Sequence, residues 1–225
     1  TRNGLNFYTG QDLKIFKSNS KDRYSLPDNE ILHLTQDSLN NIWISTRKGL
    51  VIYDEKHGNF IPVNQDIMYS SLCISDGILF GSENRIYKYD YKQRSFKSIS
   101  IKNQEDTGND ITKYRVQKII AFSEREALVA TRRDGVYVLD YQAMRLKRLF
   151  SGLNNILQGA YLSSNGYIYL SFWGQGLFCY EKTGKFIKRY TKENSDLTNN
   201  YVLDIVEKEG CLWLATDGGG INRLE

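Results

Sequence analysis

The stretch "IWISTRKGLVIYD" occupies Ile42–Asp54. An apolar run ends in Thr, a short basic turn ends in Gly, and a second apolar run follows. Runs of Ile, Val, Trp and Tyr bounded by such a turn read as strands, and Gly49 stands where the chain reverses. The phrase returns as "TRNGLNFY" at Thr1, "TRRDGVYVL" at Thr131 and "TDGGGINRL" at Thr216. Looser copies fill the gaps, "GILFGSENRIYKYD" at Gly77–Asp90 and "GYIYLSFWGQGLFCY" at Gly166–Tyr180. Six copies from Thr1 to Thr216 give a period of about 43 residues, the length of a four-stranded propeller blade.

Each unit reads as four short strands. In the second unit they fall at Glu30–Gln36, Asn41–Ser45, Leu50–Asp54 and Asn59–Val63. "DSLNN" (Asp37–Asn41) and "EKHGN" (Glu55–Asn59) read as hairpin turns, where Asn and Gly tolerate positive φ. The second strand of each unit is apolar at nearly every position, as in "IWI", "ILF", "ALVA", "YIYL" and "LWLA". A strand covered on both faces by neighbouring blades has that pattern, which puts Trp43 and Trp213 in the core. No segment of a dozen residues keeps a helical period. The predicted fold is all-β, a partial β-propeller of a half-blade, four full blades and a three-quarter blade. It forms one domain over residues 1–225, with blades at about 1–24, 25–66, 67–108, 109–152, 153–196 and 197–225. Closure of a propeller pairs strands from the two ends, whereas here both ends supply a third strand. Seven blades would take about 300 residues, so the expectation is a piece of a longer protein.

A second phrase joins the units. "FKSNSKDRYSLPDNEIL" (Phe16–Leu32) parallels "RYTKENSDLTNNYVL" (Arg189–Leu203), each a polar crossover into the next innermost strand. Together, Ser25–Asp54 and Asp196–Leu224 resemble the two-component regulator propeller repeat. The resemblance is strong in the second and last units, fair in the fourth and fifth and weak in the third. It implies the extracytoplasmic sensor region of a hybrid two-component histidine kinase of a polysaccharide-degrading bacterium. It further implies a periplasmic location, an oligosaccharide ligand, a homodimer formed through the full-length sensor, and control of transcription. Kinase activity would lie elsewhere in the full-length protein, and membrane contact would come only through segments outside this chain. A protein-interaction or dimerisation scaffold is the alternative, and a propeller carbohydrate-active enzyme the third reading.

Composition narrows the classes further. The chain is 40% hydrophobic and 25% charged, as expected of a protein that buries a core. Its 30 Lys and Arg are interspersed with 26 Asp and Glu, a net charge of +4 without the basic stripe of a nucleic-acid binder. No apolar run approaches 18 residues, and no leader pattern is present. Cys73, Cys179 and Cys211 are odd in number and far apart, and each sits in an apolar run, so three buried thiols are expected rather than disulfides or zinc ligands. His33 and His57 lack partners at ligand spacing. "DGGG" (Asp217–Gly220) lacks the following helix of a phosphate cradle, and "QDSLNN" lacks the acidic spacing of a calcium loop. No catalytic residue, metal site or cofactor is assigned.

In a four-stranded meander, the turn between strands two and three shares a face with the crossover to the next blade. The ring of turns therefore supplies the candidate ligand-binding residues Arg47, Lys48, Arg85, Arg132, Arg133, Trp173 and Asp217, with Arg2 in the first copy. Four of the six turns carry a basic residue, which tilts the expected ligand toward a uronic or sulfated sugar. Trp173 reads either as an aromatic face for a sugar ring or as a residue packed against an adjacent loop. Tyr69, Tyr114 and Tyr201 begin inner strands near the same mouth, with core packing as their other reading.

Overall fold

The structure, a computed structural model, describes residues 2–101, 114–151 and 155–224. Six antiparallel sheets follow one another along the chain. The first pairs β1 (Leu5–Tyr8) with β2 (Leu13–Phe16). The second is β3 (Ile31–Gln36), β4 (Ile42–Thr46), β5 (Gly49–Asp54) and β6 (Asn59–Asn64). The third is β7 (Ser70–Ile74), β8 (Gly77–Gly81), β9 (Arg85–Asp90) and β10 (Ser95–Ser100). The fourth is β11 (Val116–Ala121), β12 (Glu126–Thr131), β13 (Gly135–Asp140) and β14 (Arg145–Ser151). The fifth is β15 (Leu157–Leu162), β16 (Tyr167–Phe172), β17 (Gly176–Glu181) and β18 (Phe186–Tyr190). The sixth has three strands, β19 (Val202–Lys208), β20 (Cys211–Thr216) and β21 (Gly220–Leu224). Half-blade, four full blades and three-quarter blade are as the repeat predicts. Thr1 and the expected blade boundaries at 108/109 and 152/153 lie outside the described residues.

The repeated phrase has a local cause. Where a second strand ends in Thr, in the second, fourth and sixth blades, that Thr is buried and its hydroxyl closes the turn. Thr46 Oγ1 donates to the Gly49 carbonyl at 3.0 Å, Thr131 Oγ1 to Gly135 at 2.7 Å and Thr216 Oγ1 to Gly220 at 2.8 Å. In the third blade Ser82 Oγ takes the same role on the Arg85 carbonyl. In the full blades that carry it, the Gly follows because the fourth strand passes close behind it. A Cβ on Gly49, whose φ is +116°, would stand 2.5 Å from the Asn64 carbonyl oxygen. This closure extends β4 through Thr46 and starts β5 at Gly49, one residue beyond the predicted bounds on each side of the turn. The opposite turns behave as predicted, with Asn40 at φ 65° and Gly58 at φ 68°.

Each full blade is sandwiched between two others. Trp43 is 1% exposed; its ring packs on Phe80 and Tyr89 of the next blade at centroid distances of 5.2 and 4.9 Å. Trp213, at the matching place in the last blade, corrects the expectation of a core residue, since it is 38% exposed. In β20, Leu212 and Leu214 pack on the fifth blade, whereas Trp213 and Ala215 alternate onto the other face, which no described element covers. The thiols need correction too. Cys179 is buried, Cys73 is exposed and Cys211 is half-buried. Cys73 lies on an innermost strand, with its Sγ 3.3 Å from the Gln36 carbonyl oxygen, and Cys211 heads its strand beside a hairpin. No helix among the described residues is long and apolar enough to cross a membrane.

Four of the innermost strands share a further device, which β7 lacks. β3, β11, β15 and β19 each shift register after their first residue, at Ile31/His33, Val116/Lys118, Leu157/Gly159 and Val202/Asp204. Such bulges re-aim the side chains that follow. Lys118 Nζ reaches Asp204 at 3.0 Å, two blades away, and His33 Nε2 lies 2.9 Å from Ser71 Oγ. Burial, with the Lys118 charge adding to it, lowers His33 to about 4. The unfolded chain, with its imidazole at 6.5, therefore binds this proton first. Stability is fully present above pH 6.5 and falls as pH drops toward 4, by on the order of 1–3 kcal/mol. Thermal melting across that window is expected to show the loss, and His33→Gln to flatten it; an unchanged profile in the variant would assign the loss to other groups.

Candidate functional site

The turns between second and third strands meet the crossovers on one face, and backbone hydrogen bonds fix them there. Within a blade, the turn binds back to the residue that precedes the inner strand. Arg47 N donates to Glu30 O at 3.3 Å, Arg132 N to Arg115 O at 2.8 Å, Trp173 N to Ile156 O at 2.9 Å and Asp217 N to Tyr201 O at 2.9 Å. Between blades, Val116 N donates to Ser82 O and Leu157 N to Arg132 O, both at 2.9 Å. The outcome is a mouth where turn residues of one blade stand beside the pre-strand residues Glu30, Tyr69, Arg115, Ile156 and Tyr201.

The basic turn residues do not stand alone. Arg47 makes a two-point pair with Glu30, Nε–Oε2 at 3.0 Å and Nη2–Oε1 at 3.1 Å. That pair lowers the Glu30 carboxyl and raises the Arg47 guanidinium from their ordinary values. Lys48 lies 3.6 Å from Asp28. Arg85 is exposed at the head of β9 and donates to Ser98 Oγ at 3.3 Å. Arg132 is half-buried and Arg133 exposed; in their loop Asp134 accepts from Tyr137 and pairs with Arg148 at 3.0 Å. Trp173 is 49% exposed and meets Tyr201 of the next blade edge-to-face at 5.1 Å. Asp217 is exposed, and its carbonyl accepts from Asn199 Nδ2 at 2.7 Å.

One cluster of polar and aromatic groups lies between the second and third blades. A cleft of about 470 Å³ is lined there by Arg47, Asp66, Tyr69, Ser82, Glu83 and Asn84, with Gln65 and Ile67. Arg115 grips Glu83 at two points, 3.0 and 3.1 Å, and its guanidinium stands 4.3 Å over the Tyr69 ring. Burial and the Glu83 carboxylate push the Tyr69 phenol up. Tyr87 donates to Asp66 at the outer end. Of the candidate residues only Arg47 lines this cleft; the others occupy separate arcs of the mouth. Of the three inner-strand tyrosines, Tyr69 and Tyr201 face the mouth, while Tyr114 is 1% exposed in the core. Glu30, Asp66, Glu83 and Arg115 are absent from the sequence-derived candidates. The signal that finds three of them is positional: Glu30 and Arg115 stand one residue before an innermost strand, and Glu83 stands in a second-to-third turn. A wider groove of about 540 Å³ lies between the first crossover and the β5–β6 edge and takes only Lys48 of the candidates. Among the described residues no group of His, Cys, Asp and Glu is placed to hold a metal ion.

Residues 25–48 and 196–218 match the two component regulator propeller family, so the chain carries these repeats at its second blade and its last. No curated protein matches the sequence. Among solved structures, the chain resembles the extracellular domain of a hybrid two component system from B. thetaiotaomicron, at 17% identity and a TM-score of 0.54. The match covers 100% of this chain and 38% of that one. It also resembles PorZ, a surface component of the type-IX secretion system of Porphyromonas gingivalis, at 13% identity and a TM-score of 0.71, over 97% of this chain and 35% of that one. A designed protein, Ika8, matches 87% of this chain at 11% identity with a TM-score of 0.61. At such identities the shared property is the propeller fold. The chain spans little more than a third of the two natural structures.

Proposed function

We propose that this chain of two-component regulator propeller repeats is the ligand-sensing, extracytoplasmic part of a hybrid two-component histidine kinase. Its ligand is an oligosaccharide released from a glycan, bound at the mouth formed by turns and crossovers. Binding favours one arrangement of the sensor, and the bias passes through the membrane to the kinase and on to transcription. A ligand does this only through unequal affinity for the two arrangements. The observation that carries the reading is the composition of the mouth. One arc sets the Tyr69 ring among planar polar groups at Arg47, Glu83, Asn84 and Arg115, and another pairs the Trp173 and Tyr201 rings. Rings pack on the apolar faces of a sugar, and guanidinium, amide and carboxylate groups bond its hydroxyls. The fold alone carries no function; the repeats and the mouth together support this one.

Calorimetry of the chain against a panel of glycan fragments tests it. A fragment is expected to bind, and Trp173→Ala, on a half-exposed side chain, to weaken it about tenfold without lowering the melting temperature. Silence across the panel would overturn the reading and favour a protein-interaction scaffold. Cleavage of a bound fragment would favour an enzyme.

A further inference from the structure

The charge balance of the cleft between the second and third blades differs from a count of basic turns. One guanidinium, Arg47, lines it, and a second, Arg115, borders it through Glu83 and Tyr69. Three carboxylates face them, Glu30, Asp66 and Glu83. Two positive charges against three negative ones leave no net positive charge. Both guanidiniums are already held at two points by carboxylates, at 3.0–3.1 Å. An incoming carboxylate or sulfate would have to displace Glu30 or Glu83, or sit beside it and Asp66. Like charges so placed repel and disfavour such a ligand, and a displaced carboxylate needs new solvation. A hydroxyl meets no such penalty, because it donates to a carboxylate and accepts from a guanidinium without breaking either pair.

We propose that this cleft selects an uncharged sugar and rejects uronic and sulfated ones. The proposal rests on the oligosaccharide reading above and reverses the polarity that the basic turns predict. Asp66 and Glu83 accept from hydroxyls, Arg47 and Asn84 donate, and Tyr69 supplies the ring surface. Sites built to bond hydroxyls discriminate strongly between related ligands.

The test is calorimetry of the chain with matched pairs of tetrasaccharides, each uronic or sulfated member beside its carboxyl-reduced or desulfated form. The uncharged member of the binding pair is expected to bind at least about tenfold more tightly. Glu83→Gln frees Arg115 and is expected to narrow or reverse that ratio. Asp66→Asn, on an exposed side chain, repeats the test without touching the Arg115 pair and is expected to move the ratio in the same direction. A charged member binding more tightly would overturn the proposal and leave the oligosaccharide reading standing. A ratio unmoved by both variants would overturn the assignment of selectivity to this cleft. Binding by no member of any pair would overturn the oligosaccharide reading, and the proposal with it.

Discussion

Trp43→Ala is expected to cost about 3–5 kcal/mol of stability, and Trp213→Ala less than about 1. The two residues hold the same place in the repeat, in "IWIST" and "LWLAT". Trp43 is 1% exposed, wedged against Phe80 and Tyr89 of the next blade, in a cluster with Leu50, Met68 and Ile78. Its removal opens a cavity between two rigid sheets that cannot collapse onto each other. Trp213 is 38% exposed on a face that no described element covers, so its removal opens no cavity there. Urea unfolding of both variants checks the contrast. Equal losses would show that Trp213 is covered in solution.

Asp37→Ala is expected to cost about 2–4 kcal/mol, nearly as much as the Trp43 truncation. Asp37 is 4% exposed, and its carboxylate gathers four donors. Leu39 N and Asn41 N donate to Oδ1 at 2.9 and 2.8 Å; Asn41 Nδ2 and Trp43 Nε1 donate to Oδ2 at 2.9 and 2.8 Å. One acidic residue thus shapes the hairpin and orients the indole that joins two blades. Alanine leaves the indole N–H and two backbone N–H groups without that acceptor. Asp37→Asn is expected to rescue little, because its amide NH₂ would confront donors on one side. Combined with Trp43→Phe, the losses are expected to fall short of additive by more than about 0.5 kcal/mol, since both remove the same hydrogen bond. Chemical denaturation of the single and double variants measures this; strict additivity would remove the coupling.

How much of this is legible in the sequence depends on the distance over which a residue's environment is set. The Thr-turn-Gly phrase is legible because its cause is local: Thr46 Oγ1 bonds a carbonyl three residues on, and Gly49 answers to a strand in its own blade. The period and the fully apolar second strands then give the blades. Trp43 and Trp213 cannot be told apart by pattern, because burial of each depends on a neighbouring blade and not on its own strand. The electrostatics of the mouth are hidden for the same reason. Arg47 meets Glu30 across 17 positions, and Arg115 meets Glu83 across 32. A count of basic turn residues sees Arg47 and misses both the Glu30 carboxylate that neutralises it and the Arg115–Glu83 pair beside it. Asp37 reads only as a turn former, since its second role requires knowing that the Trp43 indole N–H points back at it.

Hydrogen exchange with and without a bound neutral oligosaccharide tests most directly whether the mouth is the sensing site. New protection is expected in the second-to-third turns and pre-strand residues of one face, at residues 46–48, 66–69, 82–85, 115–116, 173–175 and 199–201. Protection confined to the opposite turns, at 37–41, 55–58, 91–94, 122–125 and 141–144, would contradict it.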